Sequence, residues 1–212
     1  YPDARVSSFD VKLNRAQDAV DVTLTIDEGE PVRMEAVNLA GFDVLPSDRL
    51  ADLQKRLGLP RGQARDRQSV VAAREAALNE LRDRGYPYAR VLASEDDGPT
   101  GKSATVTFTA QPGVSARFGT IEIVGNAAVG DEVIRRQLTV KPGEVYRRSL
   151  VQDTQRRLYA MALFQFVNVE ALNPEQQQAE VPMRVTVAEG RHQRGNGGIG
   201  YGTEEKVRVN GE

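Results

Sequence analysis

The chain has 212 residues, of which 40% are apolar and 27% charged, so it can build real cores and is not a disordered tail. Its net charge of −2 is too weak a field for a nucleic-acid binder or a polybasic membrane anchor. With no cysteine there is no disulfide framework, thiolate zinc site, iron–sulfur cluster or cysteine nucleophile, and no apolar run is long enough for a spanning helix.

The opening Tyr1, Pro2 and Asp3 lack the charged-then-apolar pattern of a secretion leader and read as a cut end of a soluble chain. Val20, Val22, Leu24 and Ile26 alternate with polar residues, the period of a strand with one apolar face, and run into Glu28-Gly29. Met34 to Gly41 is a short strand closed by a glycine. Ser47 precedes Leu50, Leu53 and Leu57 at helical spacing, with Gly58 after them, which predicts a short helix capped by Ser47 and stopped by Gly58. A second helix is expected from about Gln68 to Arg84, with Val70, Val71, Ala77, Leu78 and Leu81 as its apolar stripe and Gly85 and Pro87 ending it. A strand beginning near Tyr86 follows. Ser94 to Lys102 reads as a polar turn, and Ala104, Val106 and Phe108 alternate with threonines before Pro112-Gly113.

The same order then returns. Phe118 to Gly125 matches Met34 to Gly41; a helix from about Gly130 to Leu138 is closed by Lys141-Pro142-Gly143. A second helix carries Leu150, Val151, Thr154, Leu158 and Met161. Phe164 to Val169 is a strand, Asn173 to Gln178 a polar turn, and Val181, Met183, Val185 and Val187 alternate before Glu189-Gly190. Tyr86-Pro87-Tyr88-Ala89-Arg90-Val91 also matches Tyr1-Pro2-Asp3-Ala4-Arg5-Val6, and Phe164 to Val169 is its looser counterpart. Ordered self-similarity of this kind sets the architecture before any single motif does. Residues 1–30 are the closing hairpin of an incomplete repeat, 31–113 and 114–190 are two complete ones, and 191–212 belong to something else. Each complete repeat predicts an α+β module of order β-α-α-β-β: a three-stranded mixed sheet whose apolar face is covered by two helices. Such a core is small and favours packing in tandem.

Glu28-Gly29 and Pro112-Gly113, the glycine-ended strands, the two helices, Gly85-Tyr86-Pro87-Tyr88-Ala89-Arg90-Val91 and the alternating last strand together resemble the POTRA (polypeptide-transport-associated) domain family. These domains stand in tandem before the outer-membrane barrels of assembly factors of the BamA and TamA type, with TamA slightly preferred. The tail Gly197-Gly198-Ile199-Gly200-Tyr201-Gly202 resembles the opening strand of such a barrel, disordered in a fragment. The resemblance implies a periplasmic location at the outer membrane of a Gram-negative-type bacterium. It also implies no catalysis, no metal and no cofactor, and a function in receiving unfolded outer-membrane proteins, with periplasmic accessory subunits or chaperones as further partners.

An exposed sheet edge can accept an extended client as an added strand whatever its sequence. The family's exposed edge maps onto Tyr88, Ala89, Arg90, Val91, Leu92 and Ala93, and onto Phe166, Val167, Asn168, Val169 and Glu170. Two alternatives remain: a two-partner secretion translocator whose domains recognise one dedicated exoprotein, and a structural spacer that scaffolds accessory subunits.

Other features weigh less. Gly195-Asn196-Gly197-Gly198-Ile199-Gly200 satisfies G-x-G-x-x-G, but no helix pattern follows it and there is no room for the acidic partner of a dinucleotide site. His192 is the sole histidine, in a polar stretch without a second ligand or a triad partner. Glu95, Asp96 and Asp97 read as a solubilising hairpin tip rather than a calcium loop. Arg82 and Arg84, with Arg156 and Arg157, complement helix ends. Arg147 and Arg148 lie near a helix start, where that explanation fails, and are candidates for contact with a partner.

Overall fold

The computed structural model describes residues 4–13, 19–190, 197–200 and 208–211, the last two segments as backbone only. Two compact units emerge. One comprises Tyr1–Arg117 with Gly143–Arg148 and Asn173–Val181; the other comprises Phe118–Pro142, Ser149–Leu172 and the chain from Pro182 onward. The units therefore cut the chain differently from the repeats.

Strands β1 (Arg5–Leu13) and β2 (Val20–Asp27) form an antiparallel hairpin, tied at its open end by Arg5 to Asp27 at 3.1 Å. The first complete repeat follows as β3 (Arg33–Ala40), α1 (Ser47–Arg56), α2 (Arg67–Arg82), β4 (Arg90–Asp97) and β5 (Ser103–Gln111). Its sheet has the order β3-β5-β4, with β3 parallel and β4 antiparallel to the central strand. The second repeat runs β6 (Arg117–Val124), α3 (Asp131–Arg135), α4 (Arg148–Ala160), β7 (Phe164–Ala171) and β8 (Glu180–Glu189), with sheet order β6-β8-β7. The expected β-α-α-β-β module is present twice. Strands β9 (Gly197–Gly200) and β10 (Arg208–Gly211) pair antiparallel, where the sequence suggests a disordered tail.

Period-two patterning explains the central strands. Ala104, Val106, Phe108 and Ala110 of β5 are buried while the intervening residues are not, and Val181, Met183, Val185 and Val187 of β8 do the same. Over β5 lie Leu53 of α1 and Val70, Ala73, Ala77 and Leu81 of α2, in one core with Met34 and Phe42. Gly41 and Gly125 end β3 and β6 with φ of +75° and +89°. A Cβ at either would collide with the backbone carbonyl of Ala110 or Val187, so close approach to the central strand adds to the turn in demanding glycine.

Several boundaries differ from expectation. Ser47 is already inside α1: the N-cap is Pro46, whose carbonyl receives the N–H groups of Arg49 and Leu50 and whose side chain can cap nothing. Gly58 does stop that helix, at φ +66°. The α2 stripe includes Ala73 and leaves Val71 exposed, because the buried residues follow spacings of three and four from Val70. Its start is set by Asp66, whose carboxylate accepts from Gln68 N–H at 3.2 Å, Ser69 N–H at 2.9 Å and the Ser69 hydroxyl at 2.7 Å. The helix expected up to Leu138 ends at Arg135, and Met161 falls beyond the end of α4. Ser94 to Asp97 are strand rather than turn, since Arg65 bonds Glu95 at 2.8 Å and Asp97 at 2.9 Å and holds the far end of β4 in register with β5.

Candidate functional site

The outer strands β4 and β7 carry the expected client-binding residues. Tyr88 and Ala89 precede β4, in the turn after α2. The Tyr88 hydroxyl donates to the Gln178 carbonyl at 3.0 Å, and burial pushes that phenol above its usual range. Ala89 is fully buried; its N–H donates to the Tyr86 carbonyl at 3.1 Å, and its own carbonyl receives one long bond of 3.5 Å from Arg82 Nη2. Val91 points into the core, while Arg90, Leu92 and Ala93 are exposed, and every later residue of β4 is exposed as well. This strand offers solvent access along most of its length.

β7 is different. Phe166 is exposed beside a bulge between Phe164 and Phe166, Glu170 is exposed, Asn168 is half-buried, and Val167 and Val169 are buried. Both backbone groups of Val167 are already occupied: its N–H donates to the Tyr159 hydroxyl at 3.2 Å and its carbonyl accepts from Gln155 Nε2 at 3.0 Å. Gln155 and Tyr159 stand four apart on α4 and so reach out from one face of the helix. The opposite outer strands are also engaged at their starts. Residues 62–65 bond Val32 and Met34 around β3, and Val145 and Tyr146 bridge to Ala116 and Arg117 at β6.

Arg148 begins α4 and Arg147 lies exposed just before it. Arg148 is near enough to Tyr146 and Arg82 to act on both: burial pushes the Tyr146 phenol up, and Arg82 and Arg148 oppose that shift. Arg82 is the residue of this region whose surroundings sequence reasoning did not anticipate. The helix-end pattern explains its charge but not its half-buried place against Ala89. Gln155 and Tyr159 were equally unmarked; their i,i+4 spacing beside a buried stripe was the available signal. Glu95 and Asp97 serve as partners of Arg65, a role their clustering hid.

His192 and the start of the G-x-G-x-x-G run lie outside the described residues. Among the described residues no group of three His, Asp or Glu side chains is placed to hold a metal ion.

Comparison with known proteins finds a family match for the second module. Residues 116–190 match the POTRA family, surface antigen variable number repeat. The chain is 27% identical over 175 residues to the outer membrane protein assembly factor BamA of Neisseria meningitidis serogroup B, covering 81% of this chain and 21% of that protein. It is 26% identical over 193 residues to a putative outer membrane protein assembly factor of Treponema pallidum, covering 89% of this chain and 23% of that protein. Thus it spans less than a quarter of the length of these two curated relatives. The fold is shared with the crystal structure of Haemophilus influenzae BamA POTRA3-5, at a TM-score of 0.62 and 24% identity over 89% of this chain and 74% of that one. The slight lean toward a TamA-type protein finds no support in these relatives. The POTRA match covers the second module, the first module has the same construction, and BamA relatives extend across both, so the chain is similar to the POTRA region of BamA-type assembly factors.

Proposed function

We propose that this region works on the periplasmic side of the outer membrane, where it receives unfolded outer-membrane proteins as added strands and passes them to a barrel carried by the same full-length protein. The carrying observation is the outer strand β4, exposed from Leu92 to Asp97 and hydrogen-bonded to a strand on one side only. Backbone groups along such an edge bind any extended chain irrespective of its side chains, which suits a factor with many clients. Tyr88 to Ala93 and Phe166 to Glu170 are the proposed contact segments, and Arg147 and Arg148 the proposed contact for an accessory subunit. The reading involves no catalytic step and no cofactor.

A photo-crosslinking residue in place of exposed Leu92 tests this. It is expected to capture a peptide from an unfolded barrel strand, and methylating alternate backbone nitrogens of that peptide should abolish capture by removing its strand-pairing donors. Capture that survives methylation would show contact without strand addition. A pure spacer gives no capture from any position on β4.

A further inference from the structure

Arg82, the last residue of α2, is left unfinished by its own surroundings. Among the described residues its buried Nε has no hydrogen-bond partner, and its Nη2 makes a long bond to the Ala89 carbonyl. Burial lowers its proton affinity first and the charge of Arg148 lowers it further, with Tyr146 and Glu75 opposing. Glu75 is itself paired with Arg74 at 2.7 Å. Beside Arg82 opens a cavity of about 390 Å³ lined by Tyr88, Ala89, Arg90 and Glu175 among others. Two guanidinium groups thus face one space at the start of β4, against the single carboxylate of Glu175 on an exposed turn.

The second module shows what a finished version of this corner looks like. In helix register, with the fully buried Ala77 and Leu81 opposite Thr154 and Leu158, Arg82 corresponds to Tyr159 and Leu78 to Gln155. There, two neutral side chains close the backbone of Val167. Here, a leucine replaces one latch and a cation with a spare donor replaces the other.

We propose that this corner is an acid-reading pocket of the β4 edge: an extended polypeptide added along β4 sets an Asp or Glu carboxylate on the Arg82 guanidinium, with Arg90 beside it. The proposal rests on strand addition at β4. An incoming N–H takes over the Ala89 carbonyl, which frees Arg82 for the carboxylate, so the two contacts form together. A charge-assisted bond to a partly desolvated guanidinium is among the stronger hydrogen bonds a protein offers.

The probe is a short fluorescent peptide of alternating Val and Thr with one central Asp, compared with its Asn twin and with an Asp version methylated on alternate backbone nitrogens. Anisotropy on the whole chain should show the Asp peptide binding about tenfold more tightly than the Asn peptide. The preference should vanish in Arg82→Gln and shrink with added salt. Equal binding of the Asp and Asn peptides, or a preference unchanged in Arg82→Gln, overturns the acid-reading pocket while leaving strand addition standing. Undiminished binding of the methylated peptide overturns strand addition itself. Should Arg82→Gln fail to fold, the native chain decides: at saturation the Arg82 Nε–H resonance must shift further with the Asp peptide than with the Asn peptide, and equal shifts refute the proposal.

Discussion

Thr154 is a polar residue at the centre of a helix stripe, and its neighbours explain why it is tolerated there. Its hydroxyl accepts the Thr139 N–H at 3.0 Å and meets the Thr139 hydroxyl at 2.8 Å, while the Thr139 hydroxyl donates to the Leu150 carbonyl at 2.7 Å. The corresponding position of the first module is Ala77, equally buried. Thr154→Val keeps the shape but removes the acceptor of the half-buried Thr139 N–H, so chemical denaturation should show a loss of about 1–3 kcal/mol, with Thr154→Ser recovering part of it. Glu80 is the second residue whose partners dictate a measurable effect. Burial pushes its carboxyl up, but the guanidinium groups of Arg56 at 2.6 Å and Arg84 at 3.3 Å outweigh this and hold it below its ordinary value of 4.5. A carboxyl lowered on folding stabilises the fold above its unfolded value and loses that contribution as pH falls through the folded one. Stability should therefore decline below about pH 4.5, and Glu80→Gln should flatten that part of the melting-temperature profile.

Among elements, α2 and α4 are built alike yet treat the neighbouring strand edge in opposite ways. Side chains of α4 hold both backbone groups of Val167, which competes directly with an incoming strand at β7. Replacing Gln155 by Ala together with Tyr159 by Phe removes the latch without touching the buried stripe. A photo-crosslinker at exposed Phe166 should then capture strand peptides more readily than in the native chain, and no gain would mean that the latch does not guard the edge. These elements were legible in uneven measure. Alternating β5 and β8 could be placed because a half-buried strand writes its period directly into the sequence, and Gly58, Gly41 and Gly125 mark real stops because their backbone requires glycine. The Asp66 cap, the extension of β4 through Asp97 and the α4 latch escaped notice. Each depends on side chains meeting backbone or charge brought near by folding: Arg65 lies far from Asp97 in sequence, and the i,i+4 spacing of Gln155 and Tyr159 marks a shared helix face without naming Val167 as its partner.

For the molecule as a whole, the two modules and the first hairpin should differ sharply in how firmly they are held. β5 and β8 are each the middle strand of a sheet, with a row of buried side chains on one face. The β1–β2 hairpin shares none of this. Leu13 pairs with Val20, Val11 with Val22, Phe9 with Leu24 and Val6 with Ile26, a continuous apolar face on which each of the eight side chains is at least 54% exposed. A two-stranded ribbon with nothing over its apolar face is marginal in water, because it orders backbone without removing much apolar surface from solvent. Amide exchange should therefore be fast in β1 and β2 and slowest in β5 and β8, where opening requires breaking a core. Removing residues 1–30 should leave the melting temperature of the rest unchanged within a degree or so, since burial of the first module's core involves none of them. Protection of the hairpin amides comparable to that of β5, or a clear drop in melting temperature on its removal, would mean that the apolar face is covered in solution.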